Sequence, residues 1–265
     1  LPKVVVRKEI EKIEALGVSF ELNCMVGKDI TVDEMFKKGF DAIFIGTGTA
    51  LPKALDIPGA RLRGVVQSSY LLHMVSIFNQ NTITRDRVPL VEGEKVGIIG
   101  CGNVAMDAAR TAVRLGASSV SVIYHRTESE MSAIQSEYQE AVKEGVNFMW
   151  ETSTTEFIGD EKGCLKALRA NTPQGEQVIP FDRIYLAIGS RPANRIVSTT
   201  TGIDVDDNGY IIVKERPFGM TTRKGVFAGG DVVHHPQTVV LAMKAAKQVA
   251  VGIAQYVDAI KLLES

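Results

Sequence analysis

Hydrophobic and polar residues alternate along the chain with the periods of helices and strands. Up to residue 46 the patterns predict four elements. They are a surface helix over 4–16, a half-buried strand over 18–24, a short helix opened by the capping box Thr31-x-x-Glu34, and a buried strand over 40–46. The order helix, strand, helix, strand indicates a mixed α/β chain.

A second alternation follows a polar, turn-rich connector between Asn79 and Lys95. Gly116 and Gly145 stand where its two helices would end. Strands that alternate with helices are typical of a parallel sheet with right-handed crossovers. The predicted elements are a strand over 95–100, a helix over 103–115, a strand over 119–124, a helix over about 130–144 and a strand over 146–151.

Residues 154–181 interrupt this alternation. Turn residues at 160–163 and 172–175 separate strand-like runs and predict an antiparallel meander. We therefore expect an α/β fold with a parallel sheet and a separate antiparallel meander. The remaining predicted elements are a strand over 183–188, a short apolar strand over 225–228 and a long alanine-rich helix over 238–260.

The loop GCGNVA at residues 100–105 joins the first strand and helix of the second alternation. In the pattern G-x-G-x-x-A, Gly100 permits a tight turn, Gly102 lets a pyrophosphate approach the backbone, and Ala105 lets helix and strand pack closely. Free N–H groups at the helix start bind the anion. Because a second strand ends about 24 residues further on, the context favours a Rossmann-like dinucleotide-binding domain. The alternative is a glycine loop used only for packing.

The end of that second strand bears on the choice of coenzyme. NAD-binding enzymes commonly place Asp or Glu there, where a carboxylate accepts hydrogen bonds from the ribose. Here the strand ends in Tyr124, His125, Arg126 and Thr127. A guanidinium at this position pairs with a 2′-phosphate, so the sequence favours NADP(H) over NAD. Two alternatives stay open: Arg126 is a solvated surface charge, or Glu128 turns back toward the ribose.

A second candidate site lies near the other end of the chain. The short strand over 225–228 leads into Gly229, Gly230 and Asp231, which place one carboxylate beside a backbone without side chains. A polyol or ribityl chain could approach this backbone, and the long helix that begins near Thr238 would direct its N-terminus to the same place. The alternative is a plain Gly-Gly-Asp turn.

Charge and cysteine content narrow the possible partners. Thirty basic and 31 acidic residues give a net charge of −1, so no cationic excess indicates a nucleic acid or an anionic membrane as partner. The three cysteines lie far apart and form no C-x-x-C motif, so we expect no metal site in this chain and a reducing, cytoplasmic location. Apolar runs such as Val239–Met243 are far shorter than the ~20 residues that span a bilayer.

Five segments, taken in this order, resemble the small (beta) subunit of NADPH-dependent glutamate synthase and related flavoprotein reductases with two dinucleotide-binding domains. The resemblance covers nearly the whole chain. The segments are FDAIFIGTGTALPKALDIPG (40–59), VGIIGCGNVAMDAARTAVRLGA (96–117), VIYHRTESEM (122–131), IYLAIGSRPAN (184–194) and GVFAGGDVV (225–233).

The resemblance implies two sets of cofactor contacts. For NADP(H), the matching residues are the loop positions Gly100, Gly102, Asn103 and Val104, the basic pair His125 and Arg126 for the 2′-phosphate, and the closing segment Ala187, Ile188 and Gly189. For FAD, they are Thr47, Gly48, Gly230, Asp231 and Thr238.

The chain also departs from the family. His125 replaces the commoner arginine, and Ser132 follows Met131 where the family usually has proline. Family members carry an N-terminal iron–sulfur region and then a glycine loop for FAD, and this chain contains neither. Because the chain lacks an initiator methionine as well, we expect it to begin part-way through the flavin domain, with an incomplete FAD site.

The resemblance thus implies a discontinuous arrangement and a redox function. Residues 1–82 and 218–265 would form a partial FAD/NAD(P)-binding domain, into which the NAD(P)H-binding domain at 83–217 is inserted. The parent protein would oxidise NADPH through FAD and pass electrons to the glutamate synthase large subunit or a ferredoxin-like protein. No catalytic side chain is expected, because the cofactors supply the reacting atoms.

Two alternatives remain at this point. The chain is an isolated, non-catalytic NADP(H)-binding fragment, or it belongs to an electron-input subunit of a ferredoxin:NADP reductase-type complex. No residue of the sequence identifies the electron acceptor.

Overall fold

The structure, a computed structural model, describes residues 3–236 and 238–264. The chain divides into two compact units. One comprises the residues up to Ala50 together with those from Arg191 onward, and the other is Leu51–Ser190. The first unit is therefore discontinuous in sequence. The second is a single continuous stretch of sequence, between the two segments of the first.

Eight helices and twelve strands are assigned within the described residues. The helices are α1 (Lys3–Ala15), α2 (Val32–Lys37), α3 (Ser68–Phe78), α4 (Asn103–Arg114), α5 (Gln135–Lys143), α6 (Arg195–Ser198), α7 (Asp231–His234) and α8 (Val239–Glu264). The strands are β1 (Ile43–Ile45), β2 (Leu51–Pro52), β3 (Val65–Gln67), β4 (Lys95–Ile99), β5 (Ser119–Ile123), β6 (Asn147–Met149), β7 (Ser153–Gly159), β8 (Leu165–Thr172), β9 (Gly175–Pro180), β10 (Arg183–Leu186), β11 (Ser190–Arg191) and β12 (Val226–Ala228).

A five-stranded parallel sheet organises the unit Leu51–Ser190. Its strand order is β3-β10-β4-β5-β6. From the central strand β4 the chain proceeds to β5 and β6 on one side, whereas β10 and β3 lie on the other. Ile99 at the end of β4 is level with Ile123 of β5 and Leu186 of β10. The strand order reverses at β4, and ligands of doubly wound sheets bind at such a point.

The two faces of this sheet are covered by different elements. Helices α3, α4 and α5 pack on one face, where the buried cluster includes Leu71, Ala105, Ala109, Val122 and Tyr185. The antiparallel sheet β7-β8-β9 supplies Phe157 and Leu168 to the cluster on the other face. Helix α4 turns its alanines inward, and residues this small let the helix lie close to β4. The start of α4 is thereby fixed at the end of β4.

The discontinuous unit contains a smaller parallel pair. β1 and β12 run side by side, with Ile43 opposite Val226 and Ile45 opposite Ala228. The side chain of Thr31 accepts a hydrogen bond from the Glu34 N–H at 3.2 Å, and the Glu34 carboxylate accepts one from the Thr31 N–H at 2.8 Å. This capping box starts α2 as predicted.

Most of the predicted elements are present to within a few residues. The helices at 4–16, 103–115 and 238–260 and the antiparallel meander at 154–181 are confirmed. Among residues 3–236 and 238–264, no helix combines the length and the apolarity needed to cross a bilayer.

The strand predicted over 18–24 is wrong. Phe20 and Leu22 are exposed, and these residues form turns and irregular backbone. Alternation of apolar and polar residues cannot create a strand without a neighbour to pair with, and none of the described strands pairs with this segment. The helix predicted from about 130 begins at Gln135, because a second capping box between Thr127 and Glu130 forms a 3₁₀ turn instead.

The sequence patterns missed β3 and α3. β3 pairs with β10, so residues from Leu51 onward pack within the same unit as the glycine loop. This unit begins earlier than the predicted insertion at 83–217 and ends earlier, at Ser190.

The packing of α3 on the parallel sheet can be tested with Leu71→Ala. Leu71 is completely buried, so its truncation leaves a cavity and is expected to reduce the free energy of unfolding by about 2–5 kcal/mol. The exposed Val91, truncated to alanine, serves as the control and should change it by less than about 0.5 kcal/mol. Denaturant unfolding measures both, and equal effects would contradict the assigned packing of α3.

Candidate functional site

The glycine loop lies at the carboxyl end of the central strand β4. Gly100 has a φ of +115°, a conformation that side chains rarely adopt. A Cβ atom at Gly100 would lie 2.4 Å from the carbonyl oxygen of Ala187. The Ala187 N–H in turn donates to the Ile99 carbonyl at 2.8 Å. Glycine is therefore required at position 100, because the backbone after β10 lies directly against the loop.

The start of α4 is suited to an anion. Gly102 is the N-cap residue, and no side chain caps the helix. The N–H groups of the first turn are thus not taken up by a side chain, and the helix dipole adds a partial positive charge. Val104 in this turn is exposed. A Cβ on Gly102 would meet only the Ser132 hydroxyl, at 3.4 Å.

The segment after the 3₁₀ turn supports the loop from one side. The Ala133 N–H donates to the Cys101 carbonyl at 3.1 Å, and the Ile134 N–H donates to the side-chain oxygen of Asn103 at 2.8 Å. The Ser132 hydroxyl donates to the same Cys101 carbonyl at 3.4 Å. These contacts hold the loop and the first residue of α4 in fixed positions.

Cys101 carries no charge at the loop. Burial of its thiol, with a smaller contribution from the Glu128 carboxylate, raises its pKa to about 11. A thiol with this pKa stays protonated near neutral pH, so it is a poor nucleophile and places no negative charge beside a phosphate.

His125 and Arg126 lie two and three residues after the end of β5, and both are exposed. Because β4 and β5 are parallel neighbours in register, the pair lies at the same sheet edge as the glycine loop. The nearby Glu130 is engaged by Thr127, whose N–H and hydroxyl donate to it at 3.2 Å and 2.9 Å. These hydrogen bonds lower the pKa of Glu130, with smaller contributions from Arg126 and His125.

Glu128 lies on the loop side of the same turn. Burial, and then the neighbouring Glu128 carboxylate, raise the pKa of the Tyr138 hydroxyl, and Glu128 also acts on the Cys101 thiol. A carboxylate in this position opposes part of the attraction that the cationic pair offers to a 2′-phosphate.

The predicted closing segment Ala187, Ile188 and Gly189 follows β10, on the side of the loop opposite to His125 and Arg126. Gly189 has a φ of +90°, and its carbonyl accepts a hydrogen bond from the Lys53 N–H at 2.9 Å. The structure therefore brings the predicted NADP(H) residues to one edge of one sheet.

The predicted flavin residues lie in the discontinuous unit, where the parallel strands β1 and β12 end side by side. A cleft of about 440 Å³ opens at their carboxyl ends. Gly48, Gly230, Asp231 and Thr238 line it, together with the first turns of α8. Thr47 is exposed and is not among the lining residues. No helix begins after Gly48, because irregular backbone and β2 follow.

Phe44, which the sequence patterns did not indicate as a site residue, also lines this cleft. A Cβ at Gly46 would lie 2.7 Å from the Phe44 ring, and one at Gly229 would lie 3.3 Å from it. A side chain at Gly46 would displace the Phe44 ring, and one at Gly229 would be tightly packed against it. The signal was the two-residue period of β1, which buries Ile43 and Ile45 and exposes Phe44.

Within 3–236 and 238–264, no group of three or more His, Cys, Asp or Glu side chains is arranged to hold a metal ion.

Solved structures share this architecture. Thioredoxin reductase from T. acidophilum aligns with a TM-score of 0.64 at 21% identity, over 83% of this chain and 66% of that chain. Thioredoxin reductase from Lactococcus lactis aligns with the same TM-score at 25% identity, over 82% and 66%. Together with the strand order, these likenesses place the chain in the class of Rossmann-like FAD/NAD(P)-binding folds.

Sequence comparison narrows the class to a family. Residues 4–246 match the family described as pyridine nucleotide-disulphide oxidoreductase, so the chain belongs to that family. Glutamate synthase [NADPH] small chain from Halomonas elongata is 32% identical over 97% of this chain and 58% of its own length. The NADP(+)-dependent formate dehydrogenase subunit beta of Moorella thermoacetica is 34% identical over 97% and 37%. The resemblance to glutamate synthase small subunits is thereby confirmed, and the chain spans only part of these relatives.

The requirement for glycine at position 100 can be tested with Gly100→Ala. We expect the clash with the Ala187 carbonyl to displace the loop and to reduce the affinity for NADP⁺ by at least about tenfold. Gly145→Ala is the control, because Gly145 has a φ of +87° but no atom within 4 Å of its Cβ position. Calorimetric titration should show unchanged NADP⁺ affinity in Gly145→Ala. Equal losses in both variants would indicate general destabilisation and contradict the loop assignment.

Proposed function

We propose that this chain forms the NADPH-binding part of a flavoprotein oxidoreductase that takes reducing equivalents from NADPH and passes them through FAD to a partner. The observation that carries the proposal is the uncapped start of α4 behind Gly100, at the point where the strand order reverses. Membership in the pyridine nucleotide-disulphide oxidoreductase family supports it.

The residues suit a 2′-phosphorylated coenzyme. The pyrophosphate would lie against the N–H groups at Gly102, Asn103 and Val104. Arg126 and His125 at the end of β5 would meet the 2′-phosphate of the adenosine half. The nicotinamide half would then lie toward Ala187, Ile188 and Gly189, on the β10 side of the switch point.

The cleft in the discontinuous unit suits part of a flavin. Asp231 would accept hydrogen bonds from ribityl hydroxyls, and the glycines beside it leave the backbone accessible. The start of α8 near Thr238 would place a partial positive charge by the ring edge. When bound, NADPH supplies a hydride and FAD accepts it, and the protein contributes distance, orientation and exclusion of water.

The electron acceptor is assigned by similarity alone. A glutamate synthase large subunit is the acceptor that similarity to glutamate synthase small chains favours. Similarity to an NADP(+)-dependent formate dehydrogenase subunit supports a second candidate, an electron-transfer subunit of another complex. We further propose that the discontinuous unit belongs to the flavin domain and that Leu51–Ser190 belongs to the nicotinamide domain, which moves the two boundaries from the predicted 82/83 and 217/218. We also propose that any iron–sulfur cluster lies outside this chain and that the protein is cytoplasmic.

Spectral titration of the full-length protein tests the electron transfer. Addition of NADPH without air should bleach the flavin absorbance, and addition of the matching large subunit should restore it. A flavin that stays oxidised in excess NADPH would rule the function out. The isolated chain, which would then bind NADP(H) without diaphorase activity, would instead be a binding module.

Selectivity for the 2′-phosphate is expected to depend on Arg126. Arg126→Ala removes a charge-assisted contact, so the affinity for NADPH should fall about tenfold while that for NADH stays within about twofold. Arg87→Ala, at an exposed arginine of the same unit, is the control for the loss of one positive charge. Both affinities are measured by calorimetry. A uniform loss for the two coenzymes would contradict the assigned role.

Flavin retention is expected to depend on Asp231. In the full-length protein, Asp231→Ala should lower the fraction of bound FAD, measured from absorbance after gel filtration, because the ribityl hydroxyls lose their acceptor. Asp258→Ala, at an exposed position in the same helix-rich unit, is the matched control. Full flavin content in Asp231→Ala would show that the cleft does not hold the ribityl chain.

A further inference from the structure

We propose that His125 makes the coenzyme preference of the dinucleotide site depend on pH, and that Tyr124 is the positioning residue that holds the His125 ring. The proposal rests on the NADPH function above and deepens it. It concerns a property that an arginine does not have, because the charge of a histidine changes with pH near neutrality and that of an arginine does not.

The backbone before and after His125 is held by hydrogen bonds to residues 149–152. The Tyr124 N–H donates to the Met149 carbonyl at 3.0 Å, and the Thr152 N–H donates to the Tyr124 carbonyl at 2.8 Å. The Glu151 N–H donates to the Arg126 carbonyl at 2.9 Å. Glu151 adopts a φ of +50°, which is uncommon for a residue with a side chain. The turn after β6 therefore fixes the path of residues 124–126.

The side chain of Tyr124 is fixed as well. Its hydroxyl donates to the Glu130 carbonyl at 3.1 Å, and its ring meets the Trp150 ring edge-on at 6.2 Å between centroids. Trp150 stacks on Phe148 at 5.3 Å. The His125 ring packs edge-on against Tyr124 at 5.0 Å. The His125 imidazole therefore packs against a Tyr124 ring whose position is fixed by its hydroxyl hydrogen bond to Glu130 and by its contact with Trp150.

Charged groups of both signs lie near His125. Arg126 is the adjacent cation, and Glu130 accepts two hydrogen bonds from Thr127 while Arg126 and His125 make smaller contributions to its lowered pKa. Glu128 acts on Tyr138 and Cys101. Glu151 stands on the turn after β6, the neighbouring element, and is exposed. No ion pair between His125 and a carboxylate is found in the described residues.

The ionisation of histidine and of the phosphate determines the direction in which pH changes the affinity for NADP⁺. Histidine is the side chain that ordinarily gains its charge between pH 5 and 8, and a phosphate monoester carries a charge of about −1.5 to −2 near pH 7. On this proposal the imidazolium form of His125 would add to the attraction of Arg126 for the 2′-phosphate, and the neutral form would not. On this proposal a neutral His125 takes up one proton from solvent when NADP⁺ binds, whereas any proton released by the phosphate itself is also released in His125→Arg. Binding of NAD⁺, which lacks the 2′-phosphate, involves neither proton.

The test measures the affinities for NADP⁺, NAD⁺ and 2′,5′-ADP by calorimetry at pH 6.5, 7.5 and 8.5. The ratio of NADP⁺ to NAD⁺ affinity is expected to fall about tenfold across this range, the contribution of one charge-assisted contact. In His125→Arg the ratio should stay high at all three pH values. Ionisation of the phosphate itself is the same in both proteins, so it cannot account for the difference between them. His73→Arg, at an exposed histidine on α3 of the same unit, should keep the wild-type pH profile.

Tyr124 is tested with a pair of variants. Tyr124→Leu removes the ring and should reduce the pH-dependent fall to about threefold, whereas Tyr124→Phe retains the ring contact and should keep most of it. Thermal unfolding checks that both variants are folded. A full pH-dependent fall in Tyr124→Leu would overturn the positioning role.

The possible outcomes distinguish failure of the His125 proposal from failure of the proposed NADPH function. If neither NADP⁺ nor 2′,5′-ADP binds at any pH, the proposed function fails. If NADP⁺ binds but the ratio is independent of pH, or falls equally in His125→Arg, the proposal about His125 is overturned and the NADPH function stands. Proton uptake with NADP⁺ but not with NAD⁺, measured in buffers of different ionisation enthalpy, would support the proposal directly.

Discussion

The close approach of two backbones at the end of the central strand governs the dinucleotide site. The parallel ladder aligns β5, β4 and β10, so that Ile123, Ile99 and Leu186 lie in one row. The residues that follow this row must share a narrow edge, and the Ala187 carbonyl occupies the space where a side chain at Gly100 would lie. A backbone without side chains is the consequence, and an anion can then reach the start of α4.

The discontinuous unit repeats this arrangement on a smaller scale. Two parallel strands, β1 and β12, end in glycines, and a long helix begins beside them. The two arrangements differ in which atoms lie against the glycines at the carboxyl ends of the strands. At β4 they are backbone atoms, whereas at β1 they belong to the ring of Phe44, against Gly46 and Gly229. Each edge presents glycine backbone, as the binding of an extended coenzyme requires.

The two candidate sites differ in how locally they are encoded. All residues assigned to NADP(H) belong to the continuous unit Leu51–Ser190, and a single sheet edge collects them. The residues assigned to FAD come from both parts of the discontinuous unit. The chain spans 58% of one similar small chain and 37% of a formate dehydrogenase subunit. The proposed NADP(H) site therefore depends on one continuous unit of this chain, whereas the proposed FAD site depends on two separate segments.

The sequence by itself determined the elements whose signals are local. Periodicity, capping residues and turn glycines identified the glycine loop with its strand and helix, the meander and the basic pair after β5, because each depends on neighbours a few residues away. Tertiary structure decided the rest. No strand within residues 3–236 and 238–264 pairs with the alternating run at 18–24. Helix α3 was missed because its role comes from burial of Leu71 against the sheet. Likewise, Asn103 meets Ile134 and Tyr124 meets Trp150 only after folding, since contacts between distant segments follow from packing and leave no pattern within either segment.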